Sequence, residues 1–397
     1  MEYSHKIIQL TPDLVKVSDD ISTKISKKTL PVWFPGLNAL RFLAALLVVL
    51  MHIHNNMGIS GLPQLPAFPV LFKGLSAVSF FFVLSGFLIT YLLLKEREST
   101  GTINIKHFYL RRVFRIWPLY FLIIAFGMLF YWGIVPAMNL PFENDYPHEL
   151  AIVLYTFFLA NLMNSLYHVG GILHITWSIA VEEQFYLFWA PLAKRFNTKL
   201  PVIIILITIL SLCLNFANTL NFFNLSKEMQ AFISTLQFHY MGFGAYFAWL
   251  LYNKKEKLLS TQFFKNKVFQ SLLSLLIILY FLFYQRNILG EILTPIPLGL
   301  LFGWLIINIS SNPTRIFSFE NKPLNHLGKV SYGIYMYHMP FVYASAFIFQ
   351  KLPQIQALPY IFFPIYYVLT IGLTILAASL SYKFIEQPLL KRSKRLF

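Results

Sequence analysis

Two ionisable side chains lie inside the first apolar segment of the sequence, where a charge is costly. Arg41 and His52 are eleven positions apart within residues 37–57. Eleven residues turn an α-helix by about 1100°, about 20° beyond three full turns, so both side chains point the same way. An ionisable group inside a membrane span is a functional candidate by default. The structural alternatives are a snorkelling anchor for Arg41 and an interhelical hydrogen bond for His52.

A pair of adjacent carboxylates opens a later apolar segment, 177–196. Ser178 and Glu182 are four residues apart and share a helix face, and Glu183 follows directly. Acidic residues stabilise a helix N-terminus, which is the structural alternative. Two carboxylates in an apolar helix nevertheless need a partner, and an intramembrane histidine is the natural one.

Two arginines precede the third apolar segment on one helix face. Arg112 and Arg115 are three residues apart. Positive charge at the cytoplasmic end of a span ordinarily sets orientation. Beside a span that carries Arg41, the same guanidinium groups also suit phosphates or an anionic cofactor.

His338 and Glu386 are further polar candidates in apolar surroundings. Packing at a proline-adjacent bend is the alternative for His338, and pairing with a basic loop is the alternative for Glu386. The histidines show no His-x-x-x-His spacing, so we predict no metal site. Cys213 is the single cysteine, which excludes a disulfide scaffold and cysteine-based zinc motifs.

The elements that must position these side chains are membrane spans. Hydrophobic residues make up 57% of the 397 residues and charged residues 12%, against about 25% charged residues in a soluble domain. The mean hydropathy of +0.61 excludes an ordinary soluble enzyme and a disordered chain. The excess of 32 Lys and Arg over 16 Asp and Glu therefore indicates orientation in a membrane rather than nucleic-acid binding.

The fold prediction is an all-α polytopic membrane protein with about ten transmembrane helices. A span needs about 20 apolar residues, whereas segment 150–164 is shorter and is predicted to be re-entrant or half-buried. The predicted spans are 37–57, 76–94, 116–136, 177–196, 200–218, 229–252, 267–285, 290–308, 331–350 and 361–384.

Basic residues divide unequally between the loops of this topology. The segments on the side of the N-terminus hold 27 Lys and Arg, and those on the other side hold 4. This asymmetry predicts that both termini are cytoplasmic. The predicted domains are a polar cytoplasmic leader without a signal-peptide core, a transmembrane domain and a basic cytoplasmic tail, at 1–32, 33–390 and 391–397.

Six motifs in order, covering roughly residues 33–390, resemble the membrane-bound acyltransferase-3 family. Each motif is weak alone, but together they are specific. They are Arg41 and His52 with ten residues between them, Phe80-Phe-Phe-Val-Leu-Ser-Gly-Phe87, Arg112-x-x-Arg115 followed by Pro118, Trp177-Ser178-x-x-x-Glu182-Glu183-Gln-Phe-Tyr186, Ser331-Tyr332-Gly-Ile-Tyr-x-x-His338, and Ile385-Glu386-x-Pro388.

The resemblance implies a ten-span O-acyltransferase of a bacterial cytoplasmic membrane. Such enzymes take an acyl group, usually acetyl, from cytoplasmic acyl-CoA to a sugar hydroxyl in lipopolysaccharide, polysaccharide or a related glycan or glycolipid. Many peptidoglycan-modifying relatives also carry a C-terminal extracytoplasmic domain. The sequence ends nine residues after Pro388, so we expect neither that domain nor a two-stage relay within this chain, and any separate extracytoplasmic partner is unknown.

The implied chemistry assigns roles to the candidate residues. A sugar hydroxyl needs a base, for which His52 is suited, and Glu182 or Glu183 would orient its ring. Direct transfer and an acyl-histidine intermediate are both open. No metal and no permanently bound cofactor are expected. The residues expected to bind donor or substrate are Arg41, Arg112, Arg115, Ser178 and His338, and those with a structural or undetermined role are Trp177, Ser331, Tyr332 and Glu386.

The alternative function is a proton-coupled transporter of a sugar or lipid-linked substrate. Buried His, Glu and Arg in ten spans would serve such a carrier. The sequence shows no convincing pair of Gly- or Pro-broken segments from inverted repeats. A carrier would move its solute without consuming a thioester, which separates the two functions.

The charge asymmetry yields a topology test. A cysteine at Asp145, in a chain whose Cys213 is replaced by Ala, should react with a membrane-impermeant maleimide in intact cells. A cysteine at Lys391 should react only after permeabilisation. The reverse pattern would contradict the predicted orientation.

Overall fold

The computed structural model describes residues 34–66, 68–142, 145–284 and 287–396, and these residues are largely α-helical with no β-strand among them. The predicted leader 1–32 lies outside the described residues. The helices are α1 (Leu37–Ile59), α2 (Gly74–Thr100), α3 (Ile105–Leu129), α4 (His148–Thr156), α5 (Ala160–Leu166), α6 (Gly171–His174), α7 (Trp177–Arg195), α8 (Leu200–Thr219), α9 (Lys227–Thr235), α10 (Phe238–Leu259), α11 (Gln262–Lys265), α12 (Lys267–Phe283), α13 (Ile288–Leu293), α14 (Pro295–Ser311), α15 (Lys322–Lys329), α16 (Ser331–Gln350), α17 (Pro353–Gln356), α18 (Pro359–Ser381) and α19 (Gln387–Leu396).

The helical membrane fold predicted from composition is confirmed. Five helices are long and apolar enough to cross a membrane: α1, α2, α3 with its continuation to Ala137, α8, and α18 with its continuation to Ser393. Helices α12 and α14 are apolar but only 17 residues long each. All ten predicted segments contain helix, while the number of spans and the orientation of the chain stay predictions.

The predicted span 229–252 is interrupted, which corrects its boundaries. Helix α9 ends before Leu236 and α10 begins after it. The break leaves backbone groups without partners along the helix axis, and Ser211 of α8 satisfies two of them. Its hydroxyl donates to the Leu236 carbonyl at 3.2 Å and accepts from the His239 amide at 3.0 Å. Irregular backbone at membrane depth requires such partners.

Segment 150–164 forms two short helices rather than one continuous helix. Helix α4 ends at Thr156 and α5 begins at Ala160. Phe158 lies between them with a φ of 56°, in the left-handed region that ends a helix. The chain therefore turns within this apolar segment, as a re-entrant or half-buried segment requires.

The core of the helix bundle is the close contact between α2 and α10. A Cβ atom on Gly86 would collide with the Met241 carbonyl, and one on Gly244 would collide with the Val83 carbonyl. Small residues allow two helix backbones to approach closely, which is a general feature of membrane helix packing. Around this contact, α1 packs against α2, α15 and α16, and α7 packs against α2 and α3.

The close packing of α2 against α10 predicts that a Gly→Ala change lowers stability at this contact but not at an open position. Gly86→Ala and Gly244→Ala should each destabilise the bundle by about 1–3 kcal/mol or more, because the new atom meets backbone that cannot rotate away. Gly372→Ala is the matched control, since its Cβ would meet no atom within 4 Å. Thermal melting of the purified chains in detergent measures the difference.

The control should melt at the parent temperature or slightly above it, because Ala has the higher helix propensity. Equal melting temperatures for all three variants would contradict the packing described here.

Candidate active site

A cavity of about 520 Å³ lies between α1, α2, α3, α7, α16 and the C-terminal end of α18. Its walls gather polar residues from motifs that are far apart in the sequence. A cavity of this size falls within the range of small-molecule sites, about 300–1,000 Å³. Eight of the predicted site residues line it: Arg41, Arg112, Arg115, Ser178, Glu182, Ser331, Tyr332 and Glu386.

The arginines of the cavity lack carboxylate partners. Among the described residues, no carboxylate oxygen lies within 4.0 Å of a nitrogen of Arg41, Arg112 or Arg115, whereas their neighbour Arg111 pairs with Glu96 at 2.6 Å. Arg111 is absent from the cavity wall. Arg41 and Arg112 are partly buried, whereas Arg115 is exposed, and a charge withdrawn from water without a partner is unfavourable. The arrangement therefore suits an anionic ligand in the cavity.

Aromatic rings hold the Arg112 guanidinium group. Its guanidinium carbon lies 5.8 Å from the centre of the Phe108 ring and 5.5 Å from that of Tyr186. Its Nε is buried and makes no hydrogen bond to any residue that the structure describes. Cation–π contacts hold the planar group in place, so its remaining donors are oriented before a ligand arrives.

The two adjacent carboxylates of α7 have different surroundings. Glu182 lines the cavity and accepts a hydrogen bond from the Tyr186 hydroxyl at 2.6 Å. Glu183 does not line the cavity, and it accepts from the indole nitrogen of Trp117 at 3.2 Å. Consecutive helix positions point about 100° apart, so only one of the pair can face the cavity.

Glu386 enters the cavity from a widened helical turn. The turn Tyr382–Glu386 is a π-helical segment between α18 and α19. Such turns are frequent at functional sites because they redirect side chains. Both terminal residues of this turn line the cavity, and Oε1 of Glu386 is buried without a hydrogen bond within the described ranges.

Ser178 and Tyr335 close one wall of the cavity. The Tyr335 hydroxyl donates to the Ile175 carbonyl at 2.8 Å and accepts from the Ser178 hydroxyl at 2.7 Å. The Tyr335 ring centre lies 5.8 Å from that of His338. Tyr335 thus separates the cavity from the histidine. It was not among the predicted site residues, and its place in the Ser331–His338 motif was the only sequence signal for it.

His52 and His338 form a contact pair beyond that wall. Nε2 of His338 lies 3.3 Å from Nδ1 of His52, and the ring centres are 4.9 Å apart. Neither histidine lines the cavity. His52 is partly accessible, whereas His338 is 0% exposed. The predicted binding role of His338 at the cavity is therefore not supported by its position.

The expected contact between His52 and a carboxylate is wrong. Its hydrogen-bond partners in the described chain are His338 and the Val48 carbonyl, at 2.9 Å, and neither Glu182 nor Glu183. Helix periodicity fixes which face of α1 carries His52. It does not fix which neighbouring helix meets that face, and here the neighbour is α16.

The remaining predicted residues make structural contacts. Trp177 is buried with its ring centre 6.0 Å from that of Phe82. Ser331 donates to the Gly328 carbonyl at 2.9 Å, and Tyr332 donates to the Ile116 carbonyl at 2.9 Å. These bonds join α15, α16 and α3 around the cavity. No group of three or more His, Cys, Asp or Glu that could hold a metal ion occurs in the part of the chain that the structure describes.

Comparison with known proteins finds a family profile and several relatives that match most of the chain. The family profile described as an acyltransferase domain, acyltransferase-3, matches residues 34–379. O-acetyltransferase OatA of Staphylococcus aureus (strain NCTC 8325 / PS 47) is 27% identical over 399 residues, which cover 94% of this chain and 60% of the relative.

A second relative is a putative O-acetyltransferase of Staphylococcus aureus (strain COL), 28% identical over 389 residues that cover 90% of this chain and 58% of the relative. The chain thus spans about 60% of the length of these relatives. No solved structure matches it significantly.

Proposed function

The chain belongs to the acyltransferase-3 family, and on that premise we propose that it is a membrane O-acetyltransferase with acetyl-CoA as donor. The observation that carries the proposal is a set of three arginines that form no ion pair with any described residue. They line a cavity whose wall residue Tyr335 adjoins a histidine pair. The names of the two relatives support acetyl transfer to oxygen.

The cavity is the proposed donor site. Coenzyme A carries several phosphate charges at one end and the thioester at the other. Guanidinium groups bind phosphate through paired hydrogen bonds, so Arg41, Arg112 and Arg115 would hold the phosphate end. Lys329 also lines the cavity and adds a fourth positive charge.

The thioester would lie toward Tyr335, at the wall next to the histidines. The pantetheine arm is long and uncharged, and the lining of the cavity includes Phe81 and Phe82. The phenyl ring of Phe81 and the ring of Tyr335 are 6.4 Å apart at their centres. The Tyr335 ring centre in turn lies 5.8 Å from that of His338, so this wall adjoins the histidine pair.

His52 is the proposed general base. Its Nε2 makes no hydrogen bond to a described residue, because both of its contacts use Nδ1. In direct transfer, the acceptor oxygen bonds to the thioester carbonyl carbon, its proton passes to Nε2, and the carbon–sulfur bond breaks. The proton then passes from His52 to the thiolate of coenzyme A.

The proposed acceptor is a hydroxyl of a cell-surface polysaccharide or lipid-linked glycan in a bacterial membrane. This part rests on the family resemblance, since the relatives' names specify oxygen as the acceptor atom only. An acetyl group on His52 is the second route, in which Nε2 attacks the thioester first. Trapping labelled acetyl on the chain in the absence of acceptor separates the two routes.

Removal of the base tests this mechanism. His52→Gln should lower the rate of acetyl transfer from labelled acetyl-CoA in membranes by about 10²- to 10⁴-fold, the usual contribution of a general base. His54→Gln is the matched control, because His54 is buried on the same helix with its ring against Phe72 and away from the histidine pair.

Both variants should insert in parent amounts. A His52→Gln rate within a factor of three of the control would remove His52 from the mechanism. Transport of a solute without thioester consumption would favour the carrier function instead.

Removal of one guanidinium tests the donor site. Arg112→Gln or Arg115→Gln should chiefly raise the KM for acetyl-CoA, because phosphate contacts bind ground state and transition state alike. Arg111→Gln is the control, since it removes the same positive charge from the same helical turn but outside the cavity. Replacement by Lys should restore binding only in part, because an ammonium lacks the planar fork.

The alternative is that these arginines only set the orientation of the chain in the membrane, and it predicts a different result. If these arginines only orient the chain, all three Gln variants should insert less efficiently and share one donor KM. An unchanged KM in Arg112→Gln and Arg115→Gln would refute the phosphate-binding role.

A further inference from the structure

We infer that His338 is a positioning residue that holds His52 with its proton on Nδ1 and leaves Nε2 free as the basic nitrogen. The inference deepens the proposed function and rests on it for its catalytic meaning. It also makes a statement about proton location that is measurable without any reaction.

The proton position on His338 follows from its own helix. Its Nδ1 lies 2.5 Å from the Tyr335 carbonyl, one turn earlier in α16. Two lone pairs cannot face each other at this distance, so Nδ1 of His338 carries a hydrogen and donates it. A neutral imidazole has one N–H, and Nε2 of His338 is therefore an acceptor.

The proton position on His52 follows from its two neighbours. Its Nδ1 lies 2.9 Å from the Val48 carbonyl and 3.3 Å from Nε2 of His338. Both neighbouring atoms are acceptors, so Nδ1 of His52 must be the donor to both. The alternative tautomer would place a lone pair of Nδ1 against two others. Nε2 of His52 is then the nitrogen that can accept a proton.

His52 and His338 differ in burial, and this difference indicates different roles. His338 is 0% exposed and is separated from the cavity by Tyr335. A ring so enclosed does not touch donor or acceptor. His52 is partly accessible, so a substrate can reach it. His338 therefore acts through His52.

The arrangement replaces the usual carboxylate of a catalytic triad with a neutral acceptor. In such triads an acidic group fixes the tautomer of the basic histidine and stabilises the imidazolium. An imidazole in that place avoids a buried negative charge next to α1, which is unfavourable in a membrane. As Nε2 of His52 takes the acceptor's proton, its Nδ1–H bond to His338 becomes charge-assisted and stronger.

The test compares two replacements of His338 in the full chain. His338→Gln can place an amide oxygen near the position of Nε2 and keep an acceptor for His52, whereas His338→Leu removes the acceptor at similar volume. The Leu variant should lose about 10- to 100-fold in kcat, the loss seen when a group that orients a metal-ligating histidine is removed. Its KM for acetyl-CoA should be unchanged, because the arginine cavity is intact, and the Gln variant should recover most of the kcat.

The second measurement is the tautomer itself. Nitrogen-15 NMR of ring-labelled histidine in bilayers distinguishes a protonated from an unprotonated ring nitrogen, and subtraction of the His52→Gln spectrum assigns the His52 signals. We expect the Nδ1–H form in the parent and in His338→Gln, and a share of the Nε2–H form in His338→Leu. Thermal melting of each variant shows that it is folded.

Several results would overturn the inference. They are an Nε2–H form of His52 in the parent, a His338→Leu variant with parent kcat, and a His338→Leu variant that loses kcat but keeps the parent tautomer. Failure of the proposed function would give a different result, namely parent activity in His52→Gln. The tautomer of His52 could still be measured in the parent chain and in the His338 variants. An equal loss in both His338 variants, with both folded and both retaining Nδ1–H, would also contradict the positioning role.

Discussion

The structure depends on keeping positive charge in the apolar part of the chain without a counter-ion from the residues that the structure describes. Arg41 and Arg112 cannot face lipid without a large loss of solvation, and no described carboxylate lies within 4.0 Å of either. The fold solves this by enclosing a cavity around them, which Glu182 and Glu386 also line. Helices α1, α3 and α7 must therefore pack together around the cavity. Helix α2, which packs closely against α10, contacts both α1 and α7.

The motif Phe80–Phe87 contributes both to the cavity wall and to the close contact between α2 and α10. Ser85 lines the cavity, while the next residue, Gly86, allows the Met241 carbonyl to approach from α10. A larger residue at position 86 would push α10 away and disturb the wall that Ser85 belongs to. Packing and site chemistry are thus coupled through adjacent residues of a single helix.

The proposed donor end and base end of the site are held by different contacts. The donor end consists of long side chains held by rings, as with Arg112 between Phe108 and Tyr186. The base end consists of short hydrogen bonds from imidazole to helix carbonyls, at Val48 and Tyr335. Guanidinium groups held by ring contacts suit the binding of an anionic ligand, whereas a fixed imidazole suits proton transfer, for which orientation matters most.

The sequence by itself determined the class of fold and most of the charged residues that line the cavity. Composition and apolar runs require membrane helices, and helix periodicity places Ser178 with Glu182, and Arg112 with Arg115, on common faces because these relations lie within one helix. Only the tertiary structure decided the partner of His52, the exclusion of Glu183 from the cavity and the interruption at Leu236. Each of these depends on which helices become neighbours and how far they are rotated and shifted along their axes. Local spacing carries no information about that choice, since it is made by packing between segments far apart in the chain.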